Sequence, residues 1–196
     1  MTHNLRIDSD RLWADLMASA AIGRTEKGGL RRLALSVEDG EMRRLFAHWC
    51  AVAGLTVSVD AMGNMFARRE GRNPHAKAIM MASHLDTQIH GGRFDGILGV
   101  LGALEVIRTL NDNGIETEHP LIVCNWTNEE GARFEPPMLG SRVFCGFQDA
   151  DSAHAIRDKD GVSFGAALDA IGCRGSARLG PADLDSYFEL HIEQGP

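Results

Sequence analysis

Apolar residues recur at helical spacing in two stretches near the start of the chain. Ser9 is expected to cap a first helix, and Gly23 is expected to end it with a left-handed residue. Ser36, followed three residues later by Asp39, predicts a capping-box-like start for a second helix that runs to Gly54. The two apolar stripes are Leu12, Trp13, Leu16, Met17 and Ala20 in the first helix, and Met42, Leu45, Phe46, Trp49, Cys50 and Ala53 in the second.

The central third of the chain has the pattern of strands around one helix. Residues 55–59 alternate apolar and polar side chains and, with residues 65–69 after a turn, predict a hairpin. Residues 78–82 (AIMMA) and 120–126 (PLIVCNW) are apolar without alternation, as expected of strands buried on both faces of a parallel sheet. A helix over residues 96–110 joins them, so the segment predicts a right-handed βαβ unit.

Shorter elements are predicted in the last third of the chain. They are a long functional loop that passes into a short helix at residues 131–146, two short helices at 151–157 and 163–171, and a strand at 185–192. The strand is expected to turn Tyr187 or Phe188 inward. Together with the βαβ unit, these elements predict an α/β fold with a mostly parallel sheet.

Composition and charge narrow the classes of function. The chain has 196 residues, of which 44% are hydrophobic, so it can bury a sizeable core. Its net charge is −7, and the arginine pairs are scattered along the chain rather than gathered into a basic stripe. Nucleic acid is therefore excluded as an expected partner.

The first residues and the cysteines predict a cytoplasmic, soluble protein. Charged residues occur throughout the first 16 positions, and no window approaches the roughly 18 apolar residues that a membrane span needs. No membrane partner is therefore expected. The four cysteines have no CxxC spacing, which predicts reduced thiols rather than a metal or disulfide framework.

The segment Ser83 to Asp95 (SHLDTQIHGGRFD) carries the first candidate chemistry. His84 follows the apolar strand, and His84 with Asp86, which is predicted to be a catalytic residue, suits a metal ligand whose second ring nitrogen is held by a carboxylate. Asp95 follows a glycine pair that lets the backbone cross the strand ends, so its carboxylate could bridge two cations. The alternative for Asp95 is the N-cap of the helix that starts at Gly96.

Two later segments carry further candidates. Glu129 and Glu130 follow the second buried strand, where one can act as a ligand and the other as a proton carrier. A solvated acidic turn is the alternative for this pair. His191 lies near the end of the last predicted strand, where a hydrogen-bonded core histidine is the alternative to a ligand. Because ligands in open α/β sheets collect at the carboxyl ends of parallel strands, the three segments are expected to converge.

Three strings in the sequence resemble one enzyme family. GGRFDGILGVLGALEVIRTLNDNGIETEHP, NWTNEEGARFEPPMLGS and HIEQGP closely resemble the N-carbamoyl-L-amino acid hydrolases, a branch of the dinuclear-metal exopeptidase superfamily with β-ureidopropionases and allantoate amidohydrolases as near relatives. The resemblance covers essentially the whole chain. It implies a three-layer, zinc-exopeptidase-like α/β catalytic domain. It also implies hydrolysis of the carbamoyl C–N bond of N-carbamoyl-L-amino acids or related ureido compounds, giving amino acid, carbon dioxide and ammonia.

Carried over position by position, the resemblance implies a site with two divalent metal ions. The implied roles are metal binding by His84 and His191, bridging by Asp95, binding of the other metal by Glu130, general-base catalysis by Glu129, and contact of Gln194 with the amide or ureido group of the substrate. Zinc is the favoured metal. Manganese, cobalt and nickel are alternatives, because imidazole and carboxylate ligands suit several divalent ions.

Family members are longer than this chain, which ends after the HIEQGP string. Residues 1–196 are therefore expected to form the N-terminal part of the catalytic domain. The lid and dimerisation domain, which makes full-length relatives homodimers, is expected to be absent. The last catalytic segment, which completes the second metal position, is also expected to be absent. The second metal should then be weakly held, and the isolated chain should have little or no carbamoylase activity.

Allantoate amidohydrolase and β-ureidopropionase are the alternative activities that the resemblance leaves open. Two further alternatives to a carbamoyl hydrolase do not involve catalysis. The first is a non-catalytic α/β domain that keeps the ligand set and serves in binding or assembly. The second is dinucleotide binding at the glycine-rich start of the central helix. This second alternative is disfavoured, because Gly96, Gly99 and Gly102 give GxxGxxG rather than GxGxxG.

Overall fold

The computed structural model describes residues 4–194, which form an α/β fold around one mixed five-stranded sheet. The helices are α1 (Ser9–Ser19), α2 (Val37–Val52), α3 (Ile97–Asp112), α4 (Leu139–Phe144), α5 (Ala150–Ala155) and α6 (Phe164–Ala170). The strands are β1 (Thr56–Val59), β2 (Met65–Arg69), β3 (Ala78–His84), β4 (Leu121–Trp126) and β5 (Leu184–Phe188), and a 3-10 turn, Pro181–Asp183, precedes β5. The predicted fold class and βαβ unit are confirmed.

The strand order is β1-β2-β4-β3-β5. β3 pairs in parallel with both β4 and β5, whereas β2 runs antiparallel to β1 and to β4. Four of the five described strands therefore point in one direction, in agreement with a mostly parallel sheet. The carboxyl ends of β3, β4 and β5 consequently lie side by side at one edge of the sheet.

The helix starts follow local capping chemistry. Ser36 caps α2 by accepting a hydrogen bond from the backbone N–H of Asp39, as predicted. The prediction for α1 was wrong by one residue, because Asp8 is its cap and accepts from the N–H groups of Asp10 and Arg11. The helix also ends at Ser19, four residues before Gly23, which has φ +79° in the loop that follows.

The predicted strand at 185–192 was wrong in its end and its orientation. β5 ends at Phe188, and both Tyr187 and Phe188 are exposed rather than turned inward. The Tyr187 hydroxyl instead accepts a hydrogen bond from Trp126 Nε1 and donates one to a carboxylate oxygen of Glu189. Residues 189–194 continue without strand pairing.

The two faces of the sheet are packed differently. Helices α2 and α3 cover one face, where Phe46, Val100, Leu104 and Val123 lie in the main hydrophobic core. The other face carries a smaller cluster that includes Met80, Ile122, Cys124 and Trp126, against which Phe144 of α4 packs. All four cysteines have free thiols, as predicted. Within residues 4–194, no helix has the length and apolar character needed to cross a membrane.

Arg32 is fully buried and ties the loop after β3 to the end of α1. Its Nε donates to the carbonyl of Leu85 at 2.8 Å, and its Nη1 donates to the carbonyls of Ser19 and Ile22, each at 3.0 Å. Its backbone exchanges hydrogen bonds with Thr87. Burial lowers the pKa of the guanidinium to about 10, so it remains charged at neutral pH.

We expect Arg32→Met to lower the free energy of unfolding by about 2–5 kcal/mol, because buried carbonyls would lose a charged donor. Arg31→Met is the matched control, since the Arg31 side chain is exposed. It should change the free energy of unfolding by less than about 0.5 kcal/mol. Urea unfolding of both variants measures the difference. Equal effects of the two substitutions would contradict the anchoring role.

Candidate metal centre

Three elements bring the predicted ligands to one edge of the sheet. His84 is the last residue of β3, Asp95 immediately precedes the turn into α3, and His191 lies three residues beyond β5. One ligand atom from each residue lies within 4.8 Å of the other two. The expected convergence of His84, Asp95 and His191 is therefore present in the structure.

The distances between the ligand atoms suit a single metal ion. His84 Nε2 is 3.2 Å from His191 Nε2 and 3.8 Å from Asp95 Oδ1, and His191 Nε2 is 3.5 Å from the same oxygen. Two ligand atoms at about 2.0–2.1 Å from a tetrahedral zinc ion lie roughly 3.3 Å apart. The three donors are thus spaced as three corners of such a coordination sphere.

A backbone carbonyl, not a carboxylate, orients His84. Its Nδ1 lies 2.9 Å from the backbone oxygen of Asp86, whereas the nearest carboxylate oxygen of Asp86 is 4.0 Å away. The predicted pairing with the Asp86 carboxylate was therefore wrong. Because a carbonyl only accepts hydrogen bonds, Nδ1 carries the proton and Nε2 keeps its lone pair for a metal.

The Asp86 carboxylate supports the paired glutamates instead. Its two oxygens accept hydrogen bonds from the backbone N–H groups of Glu129 and Glu130, each at 3.2 Å. Burial raises the pKa of Asp86 to about 7, and the two N–H donors oppose this rise. Asp86 therefore fixes the backbone from which both glutamates project, and it does so from a buried position.

Glu129 lies beside the three ligand atoms. Its Oε2 is 3.3 Å from His84 Nε2, and its side chain is 27% exposed, so it can face both the site and an incoming substrate. Burial raises the pKa of its carboxyl group, and the nearby His84 opposes this effect. A carboxylate with a raised pKa next to an open ligand position suits proton transfer.

Glu130 is held outside the group of three. Gln88 Nε2 donates to Glu130 Oε2 at 2.7 Å, and Glu130 Oε1 is buried without a hydrogen-bond partner. Burial raises the pKa of this carboxyl group, and the Gln88 donor opposes the rise. Among the described residues, Glu130 does not share a set of three or more ligands with the other candidates.

Asp95 offers one free oxygen to the centre. Its Oδ1 is buried without a hydrogen-bond partner, while Oδ2 accepts from the backbone N–H of Gln194 at 2.6 Å. The alternative role as helix N-cap was wrong, since Gly96 occupies that position with φ +65° and no side-chain cap. A Cβ at Gly96 would lie 2.4 Å from the His84 ring, so only glycine fits there.

The residues present fit a divalent metal ion. An unpartnered buried carboxylate oxygen costs free energy, and a cation at this position would satisfy Asp95 Oδ1. Two imidazoles and one carboxylate are also a donor set that zinc accepts, and catalytic zinc sites leave a fourth position open. The structure thus gathers one group of three residues that could hold a metal ion.

Sequence patterns did not identify Gln88, Arg32 or Gly96 as parts of this site. Gln88 supports Glu130, Arg32 anchors the loop that follows His84, and Gly96 makes room for the histidine ring. The position of Gln88 inside the Ser83 to Asp95 segment was the available signal. None of these three contacts follows from residue spacing alone.

Comparison with known proteins agrees with this geometry. The model of the family "Peptidase family M20/M25/M40" matches residues 80–196, more than half of the chain. The chain belongs to this family. Enzymes of family M20 are metal-dependent, in keeping with the three-ligand position at the sheet edge.

This M20/M25/M40 chain is also similar to individual curated proteins. An N-carbamoyl-L-amino-acid amidohydrolase from Rhizobium meliloti is 53% identical over 193 residues, which are 98% of this chain and 46% of that protein. A ureidoglycolate hydrolase from Oryza sativa is 36% identical over 201 residues, covering 97% of this chain and 41% of that protein. The chain therefore spans about half the length of the curated relatives it matches.

A solved structure is also similar to this chain over most of its length. The crystal structure of a hydantoinase/carbamoylase family amidase from Burkholderia ambifaria superposes with a TM-score of 0.94 and 59% identity. The match covers 98% of this chain and 47% of that one. The predicted resemblance to the N-carbamoyl-L-amino acid hydrolases is confirmed by both comparisons.

Proposed function

We propose that this chain supplies half of the catalytic machinery of a metal-dependent amidohydrolase that cleaves the carbamoyl C–N bond of N-carbamoyl-L-amino acids. The observation that carries the proposal is the meeting of two histidine Nε2 atoms with one unpartnered Asp95 oxygen, beside the carboxylate of Glu129. The similarity to N-carbamoyl-L-amino-acid amidohydrolases supports this substrate class over other amides.

In the proposed site, His84, Asp95 and His191 would hold one divalent ion. When bound, this ion would supply Lewis acidity that polarises the substrate carbonyl and makes water a stronger acid. Glu130, with its free Oε1, would contribute to a second metal position. That position needs ligands beyond those that residues 4–194 gather, so residues 1–196 alone should bind one ion well and turn over little substrate.

Glu129 would carry the proton in the proposed reaction. It takes a proton from the attacking water, whose oxygen forms a bond to the ureido carbonyl carbon, and it later gives that proton to the leaving nitrogen. The C–N bond then breaks to release the amino acid, and the carbamic acid left behind decomposes to carbon dioxide and ammonia. Asp86 would act as a positioning residue, because it binds the backbone N–H of Glu129 rather than the reacting atoms.

Gln194 has one group available to the substrate. Its side-chain oxygen already accepts a hydrogen bond from the backbone N–H of Phe94 at 2.9 Å. The amide nitrogen is therefore the part of this side chain that can donate to an amide or ureido oxygen. Zinc is the metal that we propose, with manganese, cobalt and nickel as alternatives for the same donors.

A second substrate class is favoured by one comparison. Relatives named ureidoglycolate hydrolase from Oryza sativa and Arabidopsis thaliana match the chain at 36% and 32% identity. A ureido acid other than an N-carbamoyl amino acid would present the same carbonyl to the same donors. We place it second, because the identity to the Rhizobium meliloti amidohydrolase is 53%.

A chimaera tests the proposed function. Residues 1–196 would replace the matching half of the Burkholderia ambifaria amidase, and ammonia release would be measured with N-carbamoyl amino acids and with ureidoglycolate. We expect metal-dependent hydrolysis of the carbamoyl substrates and loss of activity after chelation. A folded, metal-loaded chimaera that hydrolyses neither substrate would contradict the proposal and favour a non-catalytic binding or assembly role.

A further inference from the structure

The segment that carries His191 has no strand pairing to hold it. β5 ends at Phe188, and residues 189–194, here called the tail, continue as irregular chain. The His191 side chain is 31% exposed. A ligand on such a segment would lose conformational freedom on binding a metal, and this cost would weaken the metal site. Something must therefore fix the tail before His191 can act as a preorganised ligand.

Gln194 attaches the tail to the loop that carries Asp95. Its backbone N–H donates to Asp95 Oδ2 at 2.6 Å, and its backbone carbonyl accepts from the N–H of Gly92 at 3.2 Å. Its side-chain oxygen accepts from the N–H of Phe94 at 2.9 Å. Three hydrogen bonds thus join one residue of the tail to three residues of a four-residue loop.

Gly92 makes this attachment possible. A Cβ at Gly92 would lie 2.3–2.5 Å from Oε1, Cβ and Cδ of Gln194, which is closer than real Cβ contacts come. The backbone of Gly92 is outside the left-handed region, so its φ does not require glycine. The absence of a side chain at this position is therefore explained by the Gln194 side chain packed against it.

We propose that Gly92 and Gln194 form a clamp that positions His191 in the metal centre, a role distinct from any contact of Gln194 with substrate. The proposal rests on the metal centre of His84, Asp95 and His191 proposed above. The clamp raises the metal affinity of the chain, because it joins the segment carrying His191 to the loop carrying Asp95. It requires no contact with the reacting atoms.

Gly92→Ala tests the clamp without altering a ligand. We would titrate the purified chain 1–196 with Co²⁺ and record the affinity and the visible absorption of the bound ion. We expect Gly92→Ala to weaken Co²⁺ binding by about 10- to 100-fold, the range found when residues that support ligands are changed. The matched control is Gly102→Ala in α3, where a Cβ would meet only Leu190 Cδ2 at an ordinary 3.7 Å. This control should leave the affinity within about twofold.

A double-mutant cycle with His191→Ala shows whether Gly92→Ala weakens Co²⁺ binding by displacing His191. If the clamp acts through His191, adding Gly92→Ala to His191→Ala should weaken Co²⁺ binding no further. An equal loss in both backgrounds would show that Gly92 acts through Asp95 alone and would overturn the proposal. An unchanged affinity in His191→Ala by itself would instead overturn the proposed metal centre.

Gln194→Met is a second variant, and it tests the clamp independently if Gly92→Ala does not fold. It removes the acceptor for the Phe94 N–H while keeping a side chain of similar length. We expect a several-fold loss of Co²⁺ affinity that disappears in the His191→Ala background. Unchanged Co²⁺ affinity in Gln194→Met, joined with a raised KM in the chimaera, would assign the side chain to substrate alone and contradict the clamp.

Discussion

Glu129→Gln in the chimaera is expected to lower kcat by about 10²–10⁴-fold while the metal content stays unchanged. The substitution keeps the size of the side chain and removes its ability to take a proton from water. Glu129 lies 3.3 Å from His84 Nε2, and it is not one of the three gathered ligands, so metal binding should survive its loss. Steady-state kinetics and metal analysis of the same preparation measure the two effects together.

Glu135→Gln is the matched control for this result. Glu135 is an exposed glutamate in the loop that follows the pair, and its loss should change kcat by less than about twofold. If Glu129→Gln also lost its metal, Glu129 would be a ligand rather than the proton carrier. Retention of full kcat would rule out Glu129 as the general base.

His84→Ala is expected to have the largest effect on metal binding. The ring lies at the centre of the cluster, within 3.2–3.8 Å of groups on His191, Glu129 and Asp95. Removing it should weaken Zn²⁺ binding to chain 1–196 by more than about 100-fold, since loss of a ligand outweighs the 10- to 100-fold effect of a supporting residue. Competition with a chromophoric chelator measures the affinity.

His90→Ala controls for the loss of any histidine near the site. His90 lies in the loop that follows His84 but is exposed, and it is not part of the group of three candidate ligands. Its substitution should leave Zn²⁺ affinity within about twofold. Comparable losses from both substitutions would mean that the ion binds elsewhere on the loop.

The sequence predicted most of the fold because hydrophobic periodicity reports burial directly. β4 is buried at all six positions, and its continuous apolar run had indicated a strand covered on both faces. The end and the orientation of β5 were mispredicted because alternation in residues 185–192 indicates a strand wherever it occurs, whereas pairing depends on the neighbouring strand. Beyond Phe188 the chain leaves the sheet, and no local pattern marks that point.

The sequence also predicted that His84, Asp95 and His191 meet, but not how these residues are supported. The positions of His84 and His191 near strand ends, and the glycine pair that lets the chain return at Asp95, were enough to predict this convergence, since parallel strands end at one edge. The partner of His84 Nδ1 was mispredicted because a backbone carbonyl leaves no signature in the sequence. The support of Glu130 by Gln88 depends on two loops meeting, which residue spacing does not specify.

A crystal structure of chain 1–196 with Zn²⁺, using anomalous scattering at the zinc edge, tests the central claim most directly. We expect one strong peak at about 2.0–2.2 Å from His84 Nε2, His191 Nε2 and Asp95 Oδ1. Glu129 should lie beside the ion without binding it, and Gln194 should keep its hydrogen bonds to the Gly92 to Asp95 loop. A peak that lacks His84 or His191 as a ligand would contradict the proposed metal centre.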